Sequence, residues 1–278
     1  MNKKLLALYG LKYNPFTPEI PIDALYSHPK LENFCWRIEN ILLREGGFAL
    51  VSGEPGSGKS IALRVLADRL KTIRDAQVGI IVHASAKLSD FYRELGDIFG
   101  VTLNTSNRWG GFKGLRERWL THLDSTMLRP VLFIDEAQEM PITVLSELRL
   151  LTSTQFDSRM LLSVILAGDQ RLNNQLRRDE LMPLASRIRV RLNTEYASVE
   201  QLLSCLQHLV TSAGNPGLMT PELMQTVCEH AMGNYRVMCT ISGELLATAA
   251  KQERIQLDEK LYLECFAAPQ PQPKRKHN

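Results

Sequence analysis

Eight consecutive residues, Gly53-Glu54-Pro55-Gly56-Ser57-Gly58-Lys59-Ser60, follow the spacing G-x-x-x-x-G-K-[ST]. Glycines at these places let backbone N–H groups turn inward and approach phosphate oxygens. Lys59 suits the β- and γ-phosphates of a nucleotide, and the Ser60 hydroxyl suits Mg2+. A second chemical pair lies downstream, where Val131-Leu132-Phe133-Ile134 runs straight into Asp135 and Glu136. The first carboxylate fits a residue that holds the Mg2+ shell. The second is placed to polarise an attacking water as a general base.

These groups act together only if the chain folds them to one place. Phe48-Ala49-Leu50-Val51 is a short apolar run without polar alternation, as a strand buried on both faces requires. Behind the glycines, Ile61, Leu63, Val65, Leu66 and Leu70 recur at helical spacing among Arg64, Asp68 and Arg69. That helix starts near Lys59 and turns the positive end of its dipole toward the phosphates. Residues 78–83, 131–134 and 161–168 read as further buried strands. Helices are expected over 85–100, with Ser89 as a candidate N-cap, and from Leu115 onward, and residues 144–156 read as a helix and its following turn. Residues 104–114 read as a loop. Alternating strands and helices give an α/β fold, a parallel sheet flanked by helices. Ligands bind such sheets at the carboxyl ends of the strands, where Gly53 to Ser60, Asp135 and Glu136 all fall.

The strand at 161–168 ends in Asp169-Gln170. A polar side chain there suits the γ-phosphate or the lytic water, Asp169 first and Gln170 next. Turn capping explains the same residues equally well. Arginines then crowd the chain at Arg171, Arg177, Arg178, Arg187, Arg189 and Arg191. One guanidinium could stabilise charge on the transferring phosphoryl group of a neighbouring subunit. A solvated basic face accounts for others. A last short strand is expected over 188–192.

After Thr194 the pattern becomes helical throughout. Ser198 and Gln201 make a capping box, Thr220-Pro221 starts the next helix, Gly233-Asn234-Tyr235-Arg236 opens a third, and a short fourth follows Asp258. The chain therefore divides into an N-terminal segment whose helix packs on the core (1–45), an α/β domain (46–195), a helical domain (196–267) and a proline-spaced basic tail (268–278). The tail cannot bury a core and is expected to be disordered. Tyr9, Tyr13, Phe16 and Tyr26 read either as the lining of an adenine pocket or as ordinary packing.

The totals exclude some classes. The net charge of +3 is mildly basic and weak evidence for a nucleic-acid partner. No run approaches the ~18 apolar residues of a membrane span, and the N-terminal apolar stretch is too short for a signal peptide, so a cytoplasmic protein without a membrane partner is expected. The five cysteines form no C-x-x-C pair, which argues against zinc or a disulfide framework and for buried thiols.

Taken together, these residues resemble the AAA+ ATPases. Gly53 to Ser60 resembles Walker A and Phe133 to Glu136 Walker B. Asp169 sits near sensor 1, Ser186-Arg187 resembles the arginine-finger element, and Gly233-Asn234-Tyr235-Arg236 resembles the G-N-x-R sensor 2 of a helical lid. Tyr9-Gly10-Leu11, Asn14-Pro15-Phe16 and Gly47-Phe48 look like the ExeA-type branch. That branch spans secretion-associated ATPases and transposition helpers of the TniB, TnsC, MuB and IstB kind. Secretion members continue past the ATPase into a transmembrane segment and a peptidoglycan-binding region, whereas this sequence runs into a basic tail, so the transposition helpers are the expected match.

The resemblance implies a slow, regulatory ATPase using ATP and Mg2+. Lys59 and Ser60 bind phosphate and metal, Asp135 supports the metal, and Glu136 activates water. Arg236 reads the γ-phosphate within the subunit, and Arg187 acts on a neighbour's site. The family more often has Asn, Ser or Thr where Asp169 stands. Implied partners are double-stranded DNA without sequence preference, a DDE transposase, and further copies of the chain in a ring or a helical filament with six subunits per turn. DNA-contacting positions carried over from such helpers are Lys87, Arg108, Lys113 and Arg116. The alternatives are a secretion-associated ATPase that assembles an envelope complex without DNA, and an initiator- or loader-like switch in replication.

Overall fold

Phe48, Ala49, Leu50 and Val51 are buried, as their unbroken apolar run requires. They belong to β1 (Gly47–Gly53), which pairs in parallel with neighbours on both sides. The computed structural model describes residues 2–102, 107–156 and 158–266. Ser27–Glu195 forms one compact unit, and the described residues of Met1–Tyr26 and Tyr196–Asn278 form another.

The first unit is an α/β layer structure. With β2 (Ala76–Ile81), β3 (Arg129–Ile134), β4 (Ser163–Gly168) and β5 (Ile188–Thr194), the sheet runs in the order β2-β3-β4-β1-β5, all parallel. The inner strands β1, β3 and β4 are apolar on both faces because helices cover both faces. Phe91, Leu95, Phe99, Leu115, Trp119, Val144 and Leu148 from those helices pack in one core with Phe48, Leu132 and Leu166.

Several boundaries differ from expectation for identifiable reasons. The helix expected from residue 85 runs Leu88–Phe99, with Lys87 rather than Ser89 at the N-cap position. Ala86 N–H bonds His83 C=O at 3.0 Å, and this turn delays the helix. Much of the expected loop is helical, since Arg108–Thr121 is one helix with the Asn107 side chain accepting from Gly110 N–H. Gly110 and Gly111 are poor helix formers. Gly111 nevertheless packs close against the Tyr92 ring, so tertiary packing overrides propensity. After the helix Ile142–Leu151, a small antiparallel hairpin pairs Ser153–Thr154 with Arg159–Met160.

The N-terminal segment expected over 1–45 splits instead at residue 26. The helix Pro29–Arg37 stays with the α/β unit, where Glu32 receives both ion-paired bonds of Arg69 at 2.5 and 2.6 Å. Residues before it join the helical unit, where Lys12 N–H donates to Ala213 C=O at 2.8 Å and Asn215 Nδ2 to Tyr9 C=O at 2.9 Å.

In that helical unit the helices include Val199–Ser212, Pro221–His230, Tyr235–Lys251 and Glu259–Phe266. The Ser198/Gln201 capping box is present, and Thr220 caps the second of these with Pro221 at its first position. Tyr9 and Phe16 are buried here, and Tyr26 meets the His208 ring at 5.7 Å. Cys35, Cys205 and Cys228 are buried and Cys239 and Cys265 half-buried, all as free thiols. Among the described residues no helix is long and apolar enough to cross a membrane. The tail over 268–278 lies outside the described residues.

Candidate nucleotide-binding site

Beyond β1 the chain makes the turn that the glycines allow. Gly58 has φ +101°, in the left-handed region where side chains are strained. Gly53 is required for space, since a Cβ there would meet Thr194 Oγ1 at 2.1 Å. Lys59 opens the helix Lys59–Thr72 and is only 7 % exposed. Its Nζ donates to the carbonyls of Gly53 (2.8 Å) and Glu54 (3.1 Å), so the ammonium spans the loop. The first N–H groups of this helix have no helical acceptor and point out of its positive end, which suits phosphate.

Ser60, in the first turn of that helix, and Asp135, just past the end of β3, meet. The Ser60 hydroxyl donates to Asp135 Oδ2 at 2.9 Å. A hydroxyl and a carboxylate are hard oxygen ligands of the kind Mg2+ takes in small number beside phosphates and waters, so the pair fits that ion. Glu136 follows with a positive φ, in the left-handed region. That backbone state is uncommon for a non-glycine residue and collects at functional sites. The Glu136 N–H donates to Asp135 Oδ1 at 2.9 Å, and its carboxylate Oε2 accepts from Gln138 Nε2.

At the end of β4, Asp169 caps the helix Gln170–Leu176 by accepting from Arg171 N–H at 2.8 Å. Its other oxygen accepts from Arg171 Nε at 2.9 Å. Arg171 also pairs with Glu139 at 2.9 Å. Both Asp169 oxygens are thus engaged by Arg171, and the negative charge is paired. Gln170 exchanges bonds with Asn173 (3.2 Å) and Asn174 (3.4 Å) on its own helix.

Lys59, Ser60, Asp135, Glu136 and Asp169 therefore stand at one edge of the sheet. Arg187 does not join them. Its carbonyl accepts from Phe48 N–H at 3.3 Å, at the start of β1, whereas the glycine loop follows the end of β1. It precedes β5, whose far end, Thr194, touches that loop. The whole length of the two strands thus separates Arg187 from the loop of its own chain. Its guanidinium donates to Pro183 C=O. In the helical unit, Asn234 caps the helix Tyr235–Lys251 by accepting from Arg236 N–H (3.0 Å) and Val237 N–H (3.2 Å), and Arg236 is exposed in the first turn.

The four basic residues carried over for DNA differ in what they touch. Lys87 is exposed, and Lys113 faces Glu117 at 3.7 Å. Arg116 donates to the carbonyls of Leu150 (2.9 Å) and Ser153 (2.6 Å), holding the hairpin to its helix. Arg108 grips Glu147 through Nε (3.1 Å) and Nη2. Glu147 is 2 % exposed and also accepts from Tyr92 Oη at 2.5 Å. Burial pushes the Glu147 carboxyl up, but the bonds from Arg108 and Tyr92 outweigh it and hold it below the usual glutamate value. Hydrogen bonds to the charged form favour that form.

Two contributors carry no mark in the sequence reading. Thr194 holds the loop, exchanging a 2.7 Å bond with Ser57 Oγ and donating to Ser52 C=O at 3.2 Å. No local pattern marks it, because its partners lie a whole domain away in sequence. Gln138 is the other, and its position two residues past Glu136 is the available signal.

The chain is similar to several known proteins. Residues 43–176 match the model described as AAA domain. Over 246 residues the chain is 29 % identical to general secretion pathway protein A of Aeromonas hydrophila, covering 87 % of this chain and 44 % of that relative. The chain thus spans less than half the length of that relative. Among solved structures it resembles Cdc6p of Pyrobaculum aerophilum (TM-score 0.70, 18 % identity, covering 87 % of this chain and 67 % of that one). It also resembles the Aeropyrum pernix ORC1 protein in complex with DNA (TM-score 0.67, 17 % identity, 89 % and 67 %). Residues 43–176 match the AAA domain model over just under half of the chain, and the parallel α/β fold is that of the AAA+ P-loop NTPase structures it resembles.

Proposed function

We propose that the chain is an ATP-hydrolysing assembly switch that oligomerises on double-stranded DNA and there recruits or activates a DDE transposase. The observation that carries the ATPase part is the meeting of Ser60 and Asp135 beside Lys59. Lys59 and the helix end bind the phosphates, Ser60 and Asp135 hold Mg2+, and Glu136 takes a proton from water. Mg2+, when bound, screens phosphate charge and orients the oxygens around it. Arg236 senses the terminal phosphate. Arg187, at the opposite edge of the sheet from its own loop, serves a neighbouring copy's site in a ring or filament.

Support for the DNA part is the resemblance to transposition helpers and the fold shared with a protein solved in complex with DNA. Lys87 and Lys113 are the contacts we favour, since Arg108 and Arg116 hold Glu147 and the hairpin. The general secretion pathway protein A relative favours a second reading, a secretion-associated ATPase that ignores DNA.

The deciding experiment measures binding to random-sequence duplex with ATP, ADP and a non-hydrolysable analogue, followed by imaging. Triphosphate-dependent binding as rings or filaments supports the first reading. In that case Glu136→Gln traps the assemblies, because binding survives without hydrolysis. Indifference to DNA in every nucleotide state sinks it and leaves the secretion reading.

A further inference from the structure

Gln138 is a polar side chain only 5 % exposed, in a short 3-10 turn (Ala137–Glu139) just past β3. Its polar groups point at the site's own parts. Its Nε2 donates to Glu136 Oε2, its Oε1 accepts from Asp169 N–H at 3.3 Å, and its backbone carbonyl accepts from Gln175 Nε2 at 2.9 Å. An amide has one donor end and one acceptor end. Because Asp169 offers an N–H on that side, the amide must turn its NH2 to Glu136.

Glu136 itself is exposed, and Gln138 is the side chain bonded to its carboxylate. A free glutamate carboxylate samples many rotamers, a freedom that opposes any single placement. A buried amide, locked by a backbone N–H, removes that freedom from one carboxylate oxygen and leaves the other for a water. Space for the amide is made by Gly168, where a Cβ would meet Gln138 Oε1 at 2.5 Å and Leu172 Cδ2 at 2.9 Å. The circuit closes through Arg171, which joins Asp169 to Glu139, the residue after Gln138.

We infer that Gln138 is the positioning residue for the general base, tying the Glu136 carboxylate to the backbone at the end of β4. This rests on the ATPase reading above. In that reaction the water oxygen bonds the γ-phosphorus and the bond from that phosphorus to the β,γ-bridging oxygen breaks. The electron pair stays on ADP and the water proton passes to Glu136. Gln138 touches none of the reacting atoms. It sets where the accepting oxygen stands, and it makes that position depend on Asp169, so a shift at the end of β4 reaches the base directly.

The test uses the full chain and two readouts. Gln138→Met keeps the buried volume and loses both side-chain bonds. Its kcat for ATP should fall at least tenfold while the affinity for a fluorescent ATP analogue stays within twofold, a split that general loss of structure does not give. Gly168→Ala, which keeps Gln138 but crowds its amide, should do the same. In the nucleotide-free protein labelled with 15N-glutamine, the Gln138 side-chain NH2 signal should exchange slowly with water and move in Glu136→Ala. Gln138→Met at wild-type kcat, or an NH2 signal indifferent to Glu136→Ala, overturns the inference while leaving the ATPase reading intact. A wild-type chain that binds ATP without turning it over overturns the ATPase reading and, with it, the role assigned to Gln138.

Discussion

Ser60 Oγ lies 2.9 Å from Asp135 Oδ2, the hydroxyl donating to the carboxylate across the gap between the ends of β1 and β3. Two hard oxygens held together at the positive end of a helix suit two neighbouring positions of an octahedral magnesium shell. Removing either should separate metal from nucleotide. Ser60→Ala and Asp135→Asn should lower ATP affinity in the presence of Mg2+ by at least tenfold, about 1.4 kcal/mol. Affinity in excess chelator should change little. Titration with a fluorescent analogue, with and without Mg2+, checks both, and equal losses in the two conditions would refute the metal role.

The separation of Arg187 from its own glycine loop makes a complementation experiment decisive. Lys59→Ala and Arg187→Ala should each abolish hydrolysis alone. Mixed in equal amounts, they should regain activity, because some sites then pair an intact Lys59 with a neighbour's intact Arg187. Random mixing restores roughly a quarter of sites in a head-to-tail ring. No recovery in mixtures that demonstrably co-assemble would show that Arg187 does not act across subunits.

Stability should follow the Arg108–Glu147–Tyr92 cluster. Glu147 is held below the ordinary glutamate value, which is about 4.3 in the unfolded chain. A depressed carboxyl contributes stability above the unfolded pKa, and that contribution is lost as pH falls through the folded one. Wild type should therefore weaken below about pH 4. Arg108→Ala leaves a buried carboxylate with Tyr92 alone and should cost about 2 kcal/mol at pH 7. Arg108 itself is 63 % exposed, and solvent screening keeps the cost below that of breaking a fully buried pair. Burial then raises the Glu147 pKa, so the deficit should shrink as the solution is acidified toward about pH 4.5. Denaturant unfolding of both proteins at several pH values measures this.

If DNA is the partner, Lys87→Ala with Lys113→Ala should weaken binding to the same extent on every duplex and reduce its salt dependence by about one ion per lysine. Fluorescence anisotropy against sequences of different composition, at several salt concentrations, is the measurement. A loss confined to particular sequences would remove these lysines from the phosphate-contact role.

Much of this arrangement is legible in the sequence because its signals are local. The glycine spacing before Lys59 and the apolar run before Asp135 each fit within one strand and its turn, and parallel α/β topology delivers both to the same edge. Ser198 with Gln201, and Thr220 with Pro221, announce helix starts for the same reason. What fails to show is long-range. The helix over Arg108–Thr121 depends on Gly111 meeting Tyr92, and the split after residue 26 depends on bonds to Ala213 and Asn215. Asp169 illustrates an intermediate case. Its position is evident, but its engagement by Arg171 needs coordinates, because a cap and a phosphate sensor ask for the same residue type.

The two borders of the sheet are unequal. On β5 the outward residues are Arg189, Arg191 and Asn193, and charges along an edge strand resist docking by another chain. On the opposite border, β2 exposes Ile80, with Val82 just beyond it, and no charge interrupts residues 76–82. When the protein is refolded or concentrated, aggregation by strand addition should begin at β2. A single Val82→Lys change would then improve recovery without touching the chemistry.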